Sequence, residues 1–320
     1  MYSYNGKLTR RDFLKTGSLA FTSLFLPFPL FADNKSDVVE VTAKSVLQGR
    51  RINRDVCKKM LEKGIMRLMN TSTAQEGIQK IFPGLTLEKT ITIKINTIND
   101  MCPTHPEAVY ALCDILTSIK IGGKPFPAHN IIIWDREESE LKNAGFPINT
   151  GSNGVRVIAN ETDGFGFEKE VSVYNSTQKL ARILTHHTDY LVNFAVLKHH
   201  GLADVTLTMK NHYGSVSNAW SMHSSGCNPY LVALNSLPEI KNKPTLFLVD
   251  ALFGLNRGGP RGYPNFRYHS FLFSRDTVAI DKRGFDIIKA NGGNINNTEF
   301  LEKSHKKLGN MDYRLIKLTL

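Results

Sequence analysis

Cysteine is scarce in this sequence, and the short motifs that announce a cofactor unaided are missing. Four cysteines occur in 320 residues, Cys57, Cys102, Cys113 and Cys227. So few exclude a disulfide-framework fold, in which many bridges replace a large core. No pair has the Cys-x-x-Cys spacing of a cluster, a zinc knuckle or a dithiol redox site. Cys57 and Cys113 fall in helical patterns, where a buried thiol is the ordinary state. Cys102 and Cys227 fall in loop-like sequence beside histidines, where pairing after export, metal ligation and an inert thiol all stay open. No Gly-x-x-x-x-Gly-Lys-Ser/Thr run occurs, and no Gly-x-Gly-x-x-Gly stands between a strand and a helix, so both nucleotide phosphate fingerprints are absent. There is no internal repeat, no low-complexity tract and no helix-turn-helix, RNP or zinc-finger pattern. A nucleic-acid partner is therefore not expected.

What is present is a globular composition, with 41% hydrophobic and 22% charged residues. A chain of this length buries most of its unfolded surface, which suits one large α/β domain or two modest ones. The net charge is +11. Part of it belongs to the amino terminus. Thr9-Arg10-Arg11-Asp12-Phe13-Leu14-Lys15 precedes a charge-free apolar stretch from Thr16 to Ala32. A basic segment, an apolar segment and small residues in that order describe a signal peptide. The arginine pair followed by Phe-Leu-Lys matches the twin-arginine export signal. The expected localisation is therefore the periplasm, with the twin-arginine machinery as a partner. The stretch contains Pro27 and Pro29 and is short for a span of ~20 apolar residues. Cleavage after Ala32 meets Leu30, which is not small, at the third position back, so an uncleaved membrane anchor is the alternative. Residues 1–32 hold four basic side chains and one acidic, a net of +3, which leaves +8 of the +11 for the rest.

The expected organisation is a signal at 1–32, a basic helical segment at 33–84 and an α/β domain at 85–320. Residues 53–70 read as an amphipathic helix, with Val56, Met60, Ile65, Leu68 and Met69 on one side. From Arg50 to Met69 there are seven basic residues and two acidic, which fits a solvated helix face. Residues 90–96 alternate strictly and read as a strand. Thr104-His105-Pro106-Glu107 is in helix-start order, and that helix runs to about Ile119. Strands follow at 130–134, 154–159, 189–197 and 244–249, with further strands around Phe271 and Phe273 and at 313–319. Helices are expected before Gly145, over 229–237 and from Asp276 to Ala290. Alternating strands and helices argue for an α/β fold, a mostly parallel or mixed sheet with flanking helices, either as one domain or as two lobes divided near residue 165.

In open α/β sheets ligands bind beyond the carboxyl ends of the strands. Here those ends carry Lys94 and Asn96, then Asp135, then Lys198-His199-His200, then Asp250. Six of the ten histidines lie between positions 186 and 223. One reading of that density is a divalent transition-metal site, with His105, His199 and His212 as ligands. No His-Glu-x-x-His or His-x-His spacing supports it. The other reading is an anion site. Lys94, Asn96, Lys210, Asn211 and Tyr213 would hold a small carboxylate or phosphate, with Gly201 and Gly214 admitting backbone amides. For catalysis, His200 or His223 would carry the proton, Asp250 would orient it or ligate a metal, and Lys198 or Lys210 would hold the anion or react with a carbonyl. Gly258-Gly259-Pro260-Arg261-Gly262, with Arg257, fits a lid over that anion or a plain surface loop.

At these positions the chain resembles the family catalogued as domain of unknown function 362. The residues that carry the likeness are Lys94-Ile95-Asn96, Thr104-His105-Pro106-Glu107, Leu197-Lys198-His199-His200, Lys210-Asn211-His212-Tyr213-Gly214, Val249-Asp250-Ala251, Gly258-Gly259-Pro260 and Asp276 through Asp281. The resemblance implies an α/β domain with its site at the matched residues. Members of that family are often exported through the twin-arginine route and often fused to, or encoded as, iron–sulfur proteins, which implies a redox partner protein. This chain has no Cys-x-x-Cys-x-x-Cys run, so no iron–sulfur cluster of its own is expected. The function expected is an enzyme acting on a small anionic substrate, with metal dependence open. The alternative is a non-catalytic periplasmic ligand- or metal-binding protein, or an accessory to a redox complex.

Overall fold

Apolar strands buried on both faces build the centre of the molecule. In the computed structural model, which describes residues 35–320, nine strands form one sheet. They are β1 (Ser36–Thr42), β2 (Ile91–Lys94), β3 (Ile131–Asp135), β4 (Arg156–Ala159), β5 (Tyr190–His200), β6 (Asp204–Thr206), β7 (Thr245–Leu255), β8 (Phe266–Ser274) and β9 (Tyr313–Thr319). Their order is β9-β1-β8-β7-β5-β2-β3-β4, with β6 paired to the end of β5. β8 runs antiparallel to both its neighbours, and β6 is antiparallel to β5. The other pairs are parallel. The α/β expectation is met, with a mixed sheet. The export signal expected over 1–32 lies outside the described residues.

Among the described residues five helices have eight residues or more: α1 (Arg54–Met69), α2 (Ala74–Ile81), α3 (Pro106–Ser118), α4 (Asn228–Asn235) and α5 (Thr277–Ala290). α1 starts where the Asn53 side chain accepts from the amides of Asp55 and Val56. It buries Cys57, Met60, Leu61, Gly64 and Ile65, one stripe at i, i+3, i+4, i+7 and i+8. α1, α2 and α3 cover the sheet face that carries Ile91, Ile93, Ile133, Val192, Phe194, Leu248 and Phe273. α4 and α5 cover the face that carries Ile132, Trp134, Leu191, Val249 and Leu272. Both faces are buried, as a mostly parallel sheet requires.

Three sequence expectations change. The segment 33–84 is not a separate helical piece, because Ser36–Thr42 is a sheet strand between β8 and β9. Residues 35–320 form one unit, with no division near residue 165. β7 does not end at Asp250 but continues to Leu255, which places that carboxylate inside the strand. A hairpin of Phe167–Val173 and Ser176–Ala181 follows β4. Its first strand is mostly solvent-facing, so no apolar alternation announces it. Among the described residues no helix is long and apolar enough to cross a membrane.

The connectivity decides where a ligand can sit. From β2 the chain moves outward to β3 and β4. It then returns through the hairpin to β5, on the other side of β2, and continues to β7. β2 and β5 are therefore neighbours whose connections diverge, which opens a crevice beyond their carboxyl ends.

Candidate functional site

The crevice is occupied by one polar network. Along β2, Ile91 and Ile93 face α1 to α3, so Lys94 faces the other side, in a fully buried position. Lys94 Nζ donates to Asp135 Oδ1 at 2.6 Å, to the Ile95 carbonyl at 2.6 Å and to Asn211 Oδ1 at 3.2 Å. These three bonds use all three protons of the ammonium. Asp135, at the end of β3, also accepts from the Thr97 amide at 2.7 Å, the Thr97 hydroxyl at 3.0 Å and the Arg136 amide at 2.9 Å. Asn211 donates to Asn193 Oδ1 on β5 at 2.8 Å and to the Lys94 carbonyl at 3.2 Å. The network joins the carboxyl ends of β2 and β3 to Asn193 in the first half of β5 as one floor. Lys94, expected to grip a substrate, has no N–H left for one.

Asn211 and Lys210 belong to a helical turn, Thr208–Asn211. Its start is held by Asp281 of α5. This buried carboxyl accepts from the Thr208 amide at 2.8 Å, the Thr208 hydroxyl at 2.6 Å and the Met209 amide at 2.9 Å. Burial pushes its pKa up to about 7, against those hydrogen bonds. Gly214 follows the turn. A Cβ there would stand 2.8 Å from Asp135 Oδ1 and 2.8 Å from Lys94 Nζ, so only glycine fits over the ion pair.

The open part of the crevice is a cavity of about 100 Å³, lined by Asn96, Glu140, His200, Thr206, Lys210 and His223 among others. Lys210 is buried, and the polar and ring partners of its Nζ among the described residues are His223 Nε2 at 3.0 Å, the Tyr213 ring face at 3.2 Å and the Cys227 thiol. Among the described residues no carboxylate pairs with it. Burial is the main cause of its depressed pKa, about 7. His223 Nδ1 meets the Ala219 carbonyl at 2.9 Å, so Nδ1 carries the proton and Nε2 presents a lone pair to Lys210. His200 has the opposite tautomer. Its Nδ1 accepts from the Leu202 and Ala203 amides at 3.1 and 3.2 Å, which leaves the proton on Nε2. Burial first, and then Lys210, push its pKa down to about 2, so the ring is neutral. The two imidazoles stack with centroids 5.6 Å apart. Glu140 closes one side. Burial, with Asp135 next, raises its pKa to about 7. Two buried cavity atoms, Asn96 Oδ1 and Thr206 Oγ1, have no hydrogen-bond partner. Such orphans are uncommon and mark a place for a ligand or water.

The crevice therefore gathers Lys94, Asn96, Lys210, Asn211, Tyr213, His200 and His223 from the expected site. It does not gather the rest. Lys198 faces away, and its buried ammonium meets only the Cys102 carbonyl, at 3.3 Å. Asp250 orients neither His200 nor His223. It alternates with Leu248 and Leu252 on the α1–α3 face, where Oδ2 bonds His105 Nδ1 at 2.7 Å. The three expected metal ligands are dispersed. His105 is bound to Asp250, His199 Nδ1 accepts from the Gly259 amide, and His212 Nδ1 meets Ser215 Oγ in the buried interior. Among the described residues no group of three or more His, Cys, Asp or Glu side chains is placed to hold a metal ion. Cys102 and Cys227 are buried and unpaired. The glycine loop does reach the site, since Pro260 lines the cavity. Gly259 is obligatory there, because a Cβ would fall 1.7 Å from the His199 carbonyl oxygen. Glu140 was not legible in the sequence, because its shift comes from burial beside Asp135, a contact made only by folding.

The sequence profile described as "Domain of unknown function (DUF362)" matches residues 91–286, more than half of the chain. The chain belongs to this family. The DUF362 match begins at β2 and ends inside α5, so it contains the whole crevice and its Asp281 support. The outer strands β1 and β9 lie beyond it. No curated protein matches the chain. A crystal structure of a Thermotoga maritima protein from a structural genomics consortium aligns with a TM-score of 0.41 and 12% identity, over 76% of this chain and 60% of that one.

Proposed function

We propose that this DUF362 chain is an exported enzyme that binds a small oxyanion in the crevice and moves a proton on it through Lys210 and His223. The observation that carries the reading is the buried Lys210 ammonium without a carboxylate partner, at the switch point of the sheet. A buried charge left unpaired is costly, and an incoming anion removes that cost. The Thr206 hydroxyl and the His200 Nε2–H are further donors on the cavity wall. Lys210 and Glu140, both with pKa near 7, suit proton transfer at neutral pH. Asn96 Oδ1 is free to accept a hydrogen bond from the ligand, which favours a substrate that also carries a hydroxyl, such as a hydroxy acid or a phosphate monoanion. Export rests on Arg10-Arg11 and the apolar stretch that follows.

The test is calorimetric titration with sulfate, phosphate and small hydroxy acids, with proton NMR following their turnover. Wild-type protein is expected to bind at least one of them, and Lys210→Met to lose that binding. Equal affinity in the two proteins defeats the reading. Binding without turnover across the hydroxy acids and phosphates reduces the protein to a binding module.

A further inference from the structure

The sheet has a second polar feature beyond its carboxyl edge, on the opposite face. His105 caps α3, and both its backbone amide and its Nδ1 bond Asp250 Oδ2, at 3.0 and 2.7 Å. Asp250 is fully buried, and its other oxygen accepts from the Leu252 amide at 3.1 Å. The imidazole is thus locked in orientation, with its ring 5.5 Å from that of Phe253 and Nε2 without a hydrogen-bond partner among the described residues. It forms part of the wall of a cleft of about 460 Å³, within the size range of small-molecule sites. Arg50 and Arg267 lie on the same wall, and neither has a carboxylate partner among the described residues. Phe253, Phe266 and the exposed Tyr263 supply aromatic surface, and no Asp or Glu lines the cleft.

We propose that this cleft is a second binding site, for an organic anion with a planar apolar body, such as an aromatic carboxylate. Arg50 and Arg267 hold the carboxylate, His105 donates to it from Nε2, and Phe253 and Phe266 receive the ring. Burial works against charge on His105, but Asp250 outweighs it, so the imidazole is held toward its cationic form. Guanidinium pairs with carboxylate in a bidentate fork, and aromatic walls add area that a phosphate ion alone would not use. The site is independent of the Lys210 crevice, because Lys94 and Asp250 project from opposite faces of the sheet.

The test uses 2-naphthoate as probe and its neutral analogue 2-naphthalenemethanol as control, by calorimetry on the full chain. Wild-type protein is expected to bind naphthoate, with affinity reduced tenfold or more for the alcohol. The Arg50→Gln/Arg267→Gln double variant, whose two sites are solvent-exposed, is expected to lose naphthoate binding tenfold or more while its circular dichroism is unchanged. Lys210→Met is expected to bind naphthoate as wild type does, which separates this site from the crevice. Absence of binding at millimolar naphthoate overturns the proposal. So does equal binding of the alcohol, an unaffected arginine variant, or loss in Lys210→Met.

Discussion

Lys210 Nζ stands 3.0 Å from His223 Nε2, and its other partners among the described residues are a phenol ring and a thiol. A lysine in this environment gives up its proton readily, because nothing negative stabilises the ammonium. Lys94, on the wall of the same crevice and also buried, has the opposite environment, with a carboxylate at 2.6 Å. The two lysines of one crevice therefore do different work.

The first expected outcome concerns pH. Anion binding requires the ammonium form of Lys210, whose pKa is about 7. Below that value the charge is present, and above it the charge is lost. Sulfate, which does not titrate in this range, is expected to bind tightest near pH 6 and at least tenfold more weakly at pH 8.5. At pH 7 binding is expected to take up protons, seen as a dependence of calorimetric enthalpy on buffer ionisation. An affinity that is flat from pH 6 to 8.5 rejects the assignment.

Stability should separate the two lysines. Lys94→Met strands Asp135 as a buried unpaired carboxylate and is expected to cost about 3–5 kcal/mol. Lys210→Met removes an unpaired buried charge and is expected to leave stability unchanged or slightly raised. Urea unfolding of both variants measures the contrast, and equal destabilisation of the two contradicts it.

Gly214→Ala inserts a methyl group 2.8 Å from both members of the Lys94–Asp135 pair. Overpacking of this kind costs about 1–3 kcal/mol. Because the displaced lysine also holds Asn211, sulfate affinity is expected to fall with stability, although Gly214 itself has no side chain to bind a ligand. Unchanged melting and unchanged affinity together dismiss the clash.

Asp281 is a positioning residue outside the crevice. Asp281→Ala leaves the Thr208 and Met209 amides without their acceptor, an expected cost of about 1–3 kcal/mol for each buried donor left bare. Sulfate affinity should fall too, since the turn that carries Lys210 loses its anchor. The carboxyl pKa is raised to about 7 from an unfolded value of ~4. Its contribution to stability is therefore full below pH ~4 and is lost as pH rises through about 7. Relative to Asp281→Asn, wild-type protein is expected to lose ground between pH 4 and 8, as read by urea midpoints. A constant difference between the two proteins excludes the titration.

Much of this arrangement was legible in the residues. Strict alternation over 90–96 marked β2, the Pro106 start marked α3, and polar groups after apolar strands marked the edge where ligands sit. Lys94, Asn96 and His200 followed from that reasoning, while Lys210, Asn211 and His223 came from the density of histidine, lysine and amide side chains over 198–223. Alternation also states that neighbours in a strand face opposite ways. It does not state which helices cover which face. Asp250 therefore looked like a partner for His200 or His223, whereas the packing of α3 against its face delivered it to His105. Glu140 had no sequence signal, since its raised pKa arises from burial near Asp135. The histidine density suggested a metal, but spacing along a chain says nothing about convergence, and the fold sends His105, His199 and His212 to three different places.

By itself, then, the sequence determined the α/β class, the positions of many of the strands and helices, and the sheet edge that gathers the polar groups, because these follow from local periodicity and capping. Only the tertiary structure decided which charges are paired. Lys94 is saturated and Lys210 is not, because pairing depends on contacts between residues 41 and more positions apart, such as Lys94 with Asp135.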